Sequence, residues 1–309
     1  MAAMTASFKE WHWEITKRCN LFCRYCLTNC GPSAHESLAT SDALMAIKTM
    51  AELGCEKLMI TGGEPFVRKD LFKLLEYSRK KNFSLGLLTN GFLVKEKIAR
   101  RLADYIDDIG VSIDGLSSQT HNFARGEKSF QRASRFIAIL SAYLPVSAYV
   151  TISAVNIHEL PKIAKFIFEL GASRIHFSEI SMSGRAKDNL KHFKLTVKQK
   201  KLLKQFAVEM TMGIDGVIDN QCNADLSVVY LSAEGIVYPC SEVAIHAPSQ
   251  SLADIKHSGC KKELEAKKQS NKIPLNFSCC YEVHISKRMV FYLNTRSQCA
   301  LIKKERGWL

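Results

Sequence analysis

Short apolar runs alternate with longer amphipathic stretches through the first two thirds of the chain. Runs at residues 11–16, 57–61, 84–89, 108–113, 147–152 and 174–179 have the length and composition of strands. Between them, residues 41–53, 69–81, 95–103, 129–142 and 157–170 carry apolar positions at helical spacing. Gly54, Gly171 and the turn Lys80-Lys81-Asn82 stand where helices should stop. This alternation predicts βαβ units and a parallel α/β sheet, a class in which ligands gather at the carboxyl ends of the strands. Six units are two short of a closed eightfold barrel.

The pattern changes after residue 186. Residues 187–204 hold seven lysines, and apolar spacing from Thr196 to Met210 predicts a helix of about four turns. A domain boundary is placed near residue 213, which gives a first domain over 1–212 and a second over 213–309. Residues 226–231 and 236–238 read as a hairpin around the turn 232–235.

The chain has 309 residues, 47% of them hydrophobic and 24% charged, enough for a large core. No apolar run approaches the ~18 residues of a membrane span, and residues 1–9 lack the apolar core of a signal peptide, so a cytoplasmic protein with no membrane partner is expected. The net charge of +13 invites an anionic partner. Its two densest stretches, 187–204 and 256–272, have the spacing of solvated helix faces. No nucleic-acid motif accompanies them, so nucleic acid is not the expected partner.

Eleven cysteines in a long chain without a signal peptide point to metal binding rather than disulfides. Cys19, Cys23 and Cys26 form a CxxxCxxC loop just after the first strand. Thiolates are soft ligands that suit zinc, copper(I) or iron–sulfur clusters. Zinc sites and plain four-iron clusters are closed by four ligands. Three thiolates therefore mean a cluster with one open iron, a zinc loop completed from a distance, or unpaired cytosolic thiols.

This loop, with Tyr25 before its last cysteine, resembles the cluster motif of the radical S-adenosylmethionine (SAM) superfamily. The resemblance implies an open (βα)6 partial TIM barrel and a [4Fe-4S] cluster held by Cys19, Cys23 and Cys26. It further implies SAM chelated at the open iron, one-electron cleavage to a 5′-deoxyadenosyl radical, hydrogen abstraction from a substrate, and a reductant protein such as flavodoxin or ferredoxin. Thr61-Gly62-Gly63-Glu64-Pro65 is similar to the segment that receives the SAM amino group, with Glu64 and free main-chain groups as acceptors. Thr89-Asn90-Gly91 matches a TNG at the same place in the family. Ser112-Ile113-Asp114-Gly115 with His121 and Arg125-Gly126 resembles an SxDG…HxxxRG segment, which puts Ser112 against SAM and Asp114, His121 and Arg125 near the barrel top. Ser183-Gly184-Arg185-Ala186 is similar to the family's Gly-Arg-Ala, with Arg185 facing the SAM carboxylate or substrate.

Cys222 and Cys240 bracket the hairpin, whose geometry brings its ends to one metal centre. Gly235 to Cys240 resembles the GxxxxC of SPASM and twitch extensions, implying a small C-terminal α+β domain with one auxiliary [4Fe-4S] cluster. Cys279 or Cys280 is the implied later ligand, with Cys260 or Cys299 completing the set; a zinc hairpin is the alternative. The first predicted strand begins at Trp11, leaving no room for an N-terminal peptide-recognition domain. A small polar substrate, sugar- or aminoglycoside-like, is therefore expected, with dehydrogenation or epimerisation as the reaction. A surplus thiol among Cys260, Cys279 and Cys280 would serve an epimerase as hydrogen donor. The alternatives are a peptide or protein maturase of the same superfamily and a non-catalytic zinc or iron–sulfur module associated with RNA.

Overall fold

A computed structural model describes residues 8–35, 38–93, 95–211, 228–238, 244, 251–257, 260–270 and 290–294. Six parallel strands follow one another across the sheet: β1 (Glu10–Glu14), β2 (Lys57–Thr61), β3 (Ser84–Thr89), β4 (Asp108–Ser112), β5 (Val146–Ile152) and β6 (Arg174–Glu179). Helices α1 (Thr40–Glu52), α2 (Leu71–Lys80), α3 (Glu96–Leu102), α4 (Ser118–Arg125), α5 (Ser129–Leu140) and α6 (Leu160–Glu169) fill the crossovers. The predicted strands and crossover helices are all present, each end within three residues of its expected place. The chain folds as an open (βα)6 partial barrel, as expected.

Alternation along the strands explains the two layers. Trp11, Trp13, Leu58, Ile60, Leu85, Leu87, Ile109 and Val111 are fully buried in the main core with the helices. On α1, Ala43, Ala46, Ile47 and Met50 meet them at helical spacing, and Ala133, Phe136, Ile137 and Leu140 do the same on α5. Each buried Leu, Ile or Phe contributes about 1.5–3 kcal/mol relative to exposure. The intervening strand positions mix small and polar residues such as Gly86, Gly110 and Ser112 with the apolar Met59 and Leu88. Tyr149 of β5 and His176 of β6 stack there with ring centroids 4.2 Å apart.

Two local departures have simple causes. The stretch 157–170 opens as a 3-10 turn, Ile157–Glu159, before α6, whose first turn holds Pro161, a residue without an N–H. Helix α4 gave no periodic signal because its buried face is His121, Ala124 and Arg125. A capping serine starts it: Thr120 N–H donates to Ser117 Oγ at 3.3 Å.

Beyond β6 come the short helices α7 (Arg185–Asp188) and α8 (Leu190–Phe193), then α9 (Val197–Thr211). Strands β7 (Val228–Leu231) and β8 (Ile236–Tyr238) form the expected antiparallel hairpin, followed by β9 (Ala253–Asp254), α10 (Cys260–Ser270) and β10 (Val290–Asn294). These strands do not stand apart from the barrel sheet. β7 pairs parallel with β1, and β10 pairs antiparallel with β6, so they extend the sheet at both edges. Val229, Leu231, Val237, Ile255 and Leu264 join the same hydrophobic core as the barrel. Among the described residues, no helix is long and apolar enough to cross a membrane.

Candidate active site

The loop after β1 is closed into a ring. Arg18 and Gly31 form a parallel bridge, Cys19 N–H donates to Gly31 O at 3.1 Å, and Gly31 N–H donates to Lys17 O at 3.2 Å. Cys19, Cys23, Cys26 and Cys30 all lie on this ring, packed with Leu21 and Phe92. Two neighbours fix its shape. Arg24 N–H reaches Ala124 O of α4 at 2.8 Å. Arg185 donates from Nε to Cys23 O and from Nη2 to Cys30 O, each at 2.7 Å, and its guanidinium lies 3.9 Å from the Phe22 ring centroid. Arg185 thus spends its fork on loop carbonyls as well as facing the cavity. Gly184 precedes it at φ +56°, where a Cβ would sit 2.2 Å from Cys26 O.

A cavity of about 430 Å³ opens beside the loop at the carboxyl ends of the strands. It is lined by Cys19, Cys23, Cys26, Tyr25, Gly62, Gly63, Thr89, Asn90, Ser112, Arg125 and Arg185, which the sequence singled out. Glu64, Pro65 and Asp114 are buried and are not among the lining residues. Cys260 is buried in the main core and does not line the cavity either. Cys222, Cys240, Cys279, Cys280 and Cys299 lie outside the described residues.

The Gly-Gly segment packs directly against the backbone that leads from β1 into the cysteine loop. A Cβ on Gly62 would lie 2.6 Å from Thr16 O, and one on Gly63 2.3 Å from Arg18 O. The glycines let two backbone segments touch: Gly63 N–H donates to Thr16 O at 2.7 Å and Glu64 N–H to Arg18 O at 2.9 Å. Glu64 turns inward. Its carboxylate accepts Thr89 Oγ1 at 2.8 Å, Asn90 N–H at 2.8 Å and Phe66 N–H at 3.2 Å. The Glu64 side chain therefore braces the TNG turn rather than offering itself to an ammonium group. Burial pushes its pKa up to about 7 against the pull of those donors.

Asp114 anchors the opposite wall. Tyr25 and Arg125 Nε both donate to its Oδ2, while Arg125 Nη2 donates to its Oδ1 at 3.3 Å and Thr151 N–H donates to the same Oδ1 at 2.8 Å. Burial alone would raise the Asp114 pKa, but the Arg125 charge and the hydrogen bonds reverse the shift and lower it. His121 Nδ1 accepts the Asp114 N–H at 3.0 Å, which fixes the neutral tautomer with its proton on Nε2. Burial draws its pKa down to about 4 despite Asp114, so His121 is a structural prop.

Sequence reasoning missed the β1 side of the cavity. Glu14 and Cys30 line it with Thr28 and Tyr230. Cys30 Sγ donates to Glu14 Oε1 at 3.4 Å and lies 3.0 Å from Thr28 Oγ1. Burial raises the Glu14 pKa. The contact with Cys30 lowers the Cys26 pKa to about 5, and the same contact together with burial raises that of Cys30. Burial pushes Cys19 up to about 12 and also raises Cys23. Arg68 was missed too. Buried, it donates to Ile15 O at 2.9 Å and Leu38 O at 3.1 Å and pairs with Asp70 at 2.8 Å, fixing the end of β1. Cys30 could have been found by its spacing; Glu14 and Arg68 left no signal.

The loop fits an iron–sulfur cluster better than a single ion. Among the described residues, no three His, Cys, Asp or Glu side chains converge on a point that would hold one metal ion. Four thiols, those of Cys19, Cys23, Cys26 and Cys30, instead face a cavity. Beside Cys19, the Asn20 amide nitrogen is buried with no hydrogen-bond partner, a donor that a sulfide or carboxylate would satisfy.

The family model for the Radical SAM superfamily matches residues 13–167. The chain is 28% identical over 254 residues to the mycofactocin maturase MftC of Mycolicibacterium smegmatis, covering 76% of this chain and 64% of that protein. It is 33% identical over 195 residues to the AdoMet-dependent heme synthase of Methanosarcina barkeri, covering 61% of this chain and 55% of that protein. The chain thus spans less than two thirds of the length of these relatives. Among solved structures it resembles Streptococcus suis SuiB bound to S-adenosylmethionine, with TM-score 0.67, 15% identity and coverage of 82% of this chain and 65% of that one.

Proposed function

The chain belongs to the radical SAM superfamily, whose cofactors are a [4Fe-4S] cluster and SAM, and from that premise we propose that it modifies a peptide or protein substrate. The observation that carries this reading is the extent of similarity. The match to the mycofactocin maturase covers 76% of the chain, more than residues 1–212 comprise, so it takes in part of the C-terminal segment. The match to the heme synthase covers 61%, a length the barrel alone can hold. The barrel carries the chemistry common to the superfamily, whereas the substrate is chosen by what is added to it. This favours a peptide over the sugar-like metabolite expected from the sequence.

Cys19, Cys23 and Cys26 would hold the cluster, which, when bound with SAM on its open iron, supplies one-electron cleavage of the sulfonium and hydrogen abstraction. The main chain at Gly62, Gly63 and Asn90, with the Ser112 and Arg125 side chains, would seat SAM. Asp114 orients Arg125 and Tyr25 for that task. The wall formed by Glu14, Tyr230, Ser178 and Glu179 is left for the substrate. An auxiliary cluster on Cys222, Cys240 and Cys279 or Cys280, and a flavodoxin- or ferredoxin-like reductant, complete the reading.

The test is anaerobic. Reconstituted protein, SAM and dithionite are incubated with a degenerate peptide library, an aminoglycoside or an iron coproporphyrin, and 5′-deoxyadenosine is quantified. Release stimulated by peptides, with a mass change in some of them, supports the reading. Stimulation by either small molecule and not by peptides sinks it.

A further inference from the structure

We propose that Asn90 is a hydrogen-bond donor to the Cys19 sulfur that raises the reduction potential of the cluster on this loop, and that Glu64 is the residue positioning it. This rests on the cluster reading of Cys19, Cys23 and Cys26. Asn90 Nδ2 lies 3.7 Å from Cys19 Sγ and 2.9 Å from Asn20 Oδ1. The amide can face only one way, because its Oδ1 accepts the Phe92 N–H at 2.9 Å. Nitrogen, not oxygen, therefore points at the sulfur. Leu21 N–H also aims at Cys19 Sγ, at 3.4 Å. Cys23 differs: its sulfur sits 3.8 Å from a carbonyl oxygen, that of Arg125.

Glu64 supplies the rigidity. Its Oε2 accepts the Asn90 N–H at 2.8 Å, and its carboxylate also holds Thr89 Oγ1, which in turn accepts Gly91 N–H at 3.1 Å. The carboxylate of the GGEP segment thus fixes the turn that carries the donor. All of it is buried, where a hydrogen bond to a charged sulfur is strongest. On one-electron reduction the cluster and its thiolates gain negative charge. A donor at a ligand sulfur stabilises the reduced form more than the oxidised one, and hydrogen bonds to sulfur are among the levers that set such potentials.

The experiment is a redox titration of reconstituted protein with dithionite and mediators, followed by the EPR signal of the reduced loop cluster. Iron per chain is measured alongside. Asn90→Leu removes the donor while keeping the number and branching of side-chain heavy atoms. Asn90→Asp keeps the acceptor for Phe92 N–H, so the turn stays closed, but replaces the donor with a negative charge. The expected order of midpoint potentials is wild type, then Asn90→Leu, then Asn90→Asp as the most negative, at unchanged iron content. Glu64→Ala should move the potential in the same direction as Asn90→Leu. An unmoved potential in Asn90→Asp overturns the proposal while leaving the cluster reading intact. Loss of the cluster in both Asn90 variants overturns it as well, because Asn90 would then hold the loop rather than tune it. A wild-type protein that takes up no cluster at all removes the underlying reading too.

Discussion

Arg125 pairs with Asp114 inside the protein, with both side chains almost wholly removed from solvent. Removing one partner strands a buried charge, whereas replacing both does not. Asp114→Ala should therefore destabilise the protein by about 3–5 kcal/mol in denaturant unfolding, and Asp114→Ala with Arg125→Met should recover part of that loss. Since Arg125 holds Asp114 below its ordinary range, this stabilisation is present at neutral pH. It fades only as pH falls through the lowered folded value. A double variant no more stable than the single one would show that the pair is not the source.

Glu64 should make stability depend on pH in the opposite sense. Burial lifts its pKa from 4.5 to about 7, so the folded state binds the proton more tightly than the unfolded chain does. Stability from this group is full below pH 4.5 and declines as pH climbs toward 7, by roughly 3 kcal/mol in total. Glu64→Gln, which cannot ionise, should flatten that decline in unfolding curves taken across the window. A wild-type curve that rises there would mean the carboxylate is ionised and its donors outweigh burial.

Gly184 should be intolerant of any side chain. Its φ of +56° is costly for other residues, and a methyl group would fall 2.2 Å from Cys26 O and 2.4 Å from Leu27 O. Gly184→Ala should cost about 1–3 kcal/mol and push the cysteine ring off Arg185. The readout is iron retained per chain after reconstitution, expected to drop below wild type. Full iron uptake would show that the ring does not depend on this contact.

What the sequence revealed follows from what periodicity can carry. The strands and crossover helices were legible because Trp11, Ile60, Leu87 and Val111 sit at strand spacing opposite amphipathic helices such as α5. Helix α4 was not, because its buried face is histidine and arginine. The direction in which a side chain points was also beyond reach. Glu64 looked like a ligand for an ammonium group, yet its carboxylate is consumed by Thr89, Asn90 and Phe66. The pairing of β7 with β1 and of β10 with β6 depends on contacts between distant segments, which a local pattern does not encode.

Cys30 decides whether the loop offers three thiolates or four. It is 1% exposed, its sulfur donates to Glu14 Oε1 at 3.4 Å, and Thr28 Oγ1 lies 3.0 Å away. Its carbonyl oxygen is held by Arg185 at 2.7 Å. An iron ligand must lose its proton, and at Cys30 that would place a thiolate beside the buried Glu14 carboxylate, a like charge that adds to the Cys26 contact and burial in raising the thiol's pKa. Recruiting Cys30 to iron would also leave the buried Glu14 short of a partner, a cost of about 1–3 kcal/mol. Cys30→Ala should accordingly keep the wild-type iron content and still bind SAM anaerobically, while Cys26→Ala should lose about four irons per chain. If Cys30→Ala loses the cluster as Cys26→Ala does, the loop closes its own fourth corner, no iron remains open to SAM, and the proposed chemistry has no place to occur.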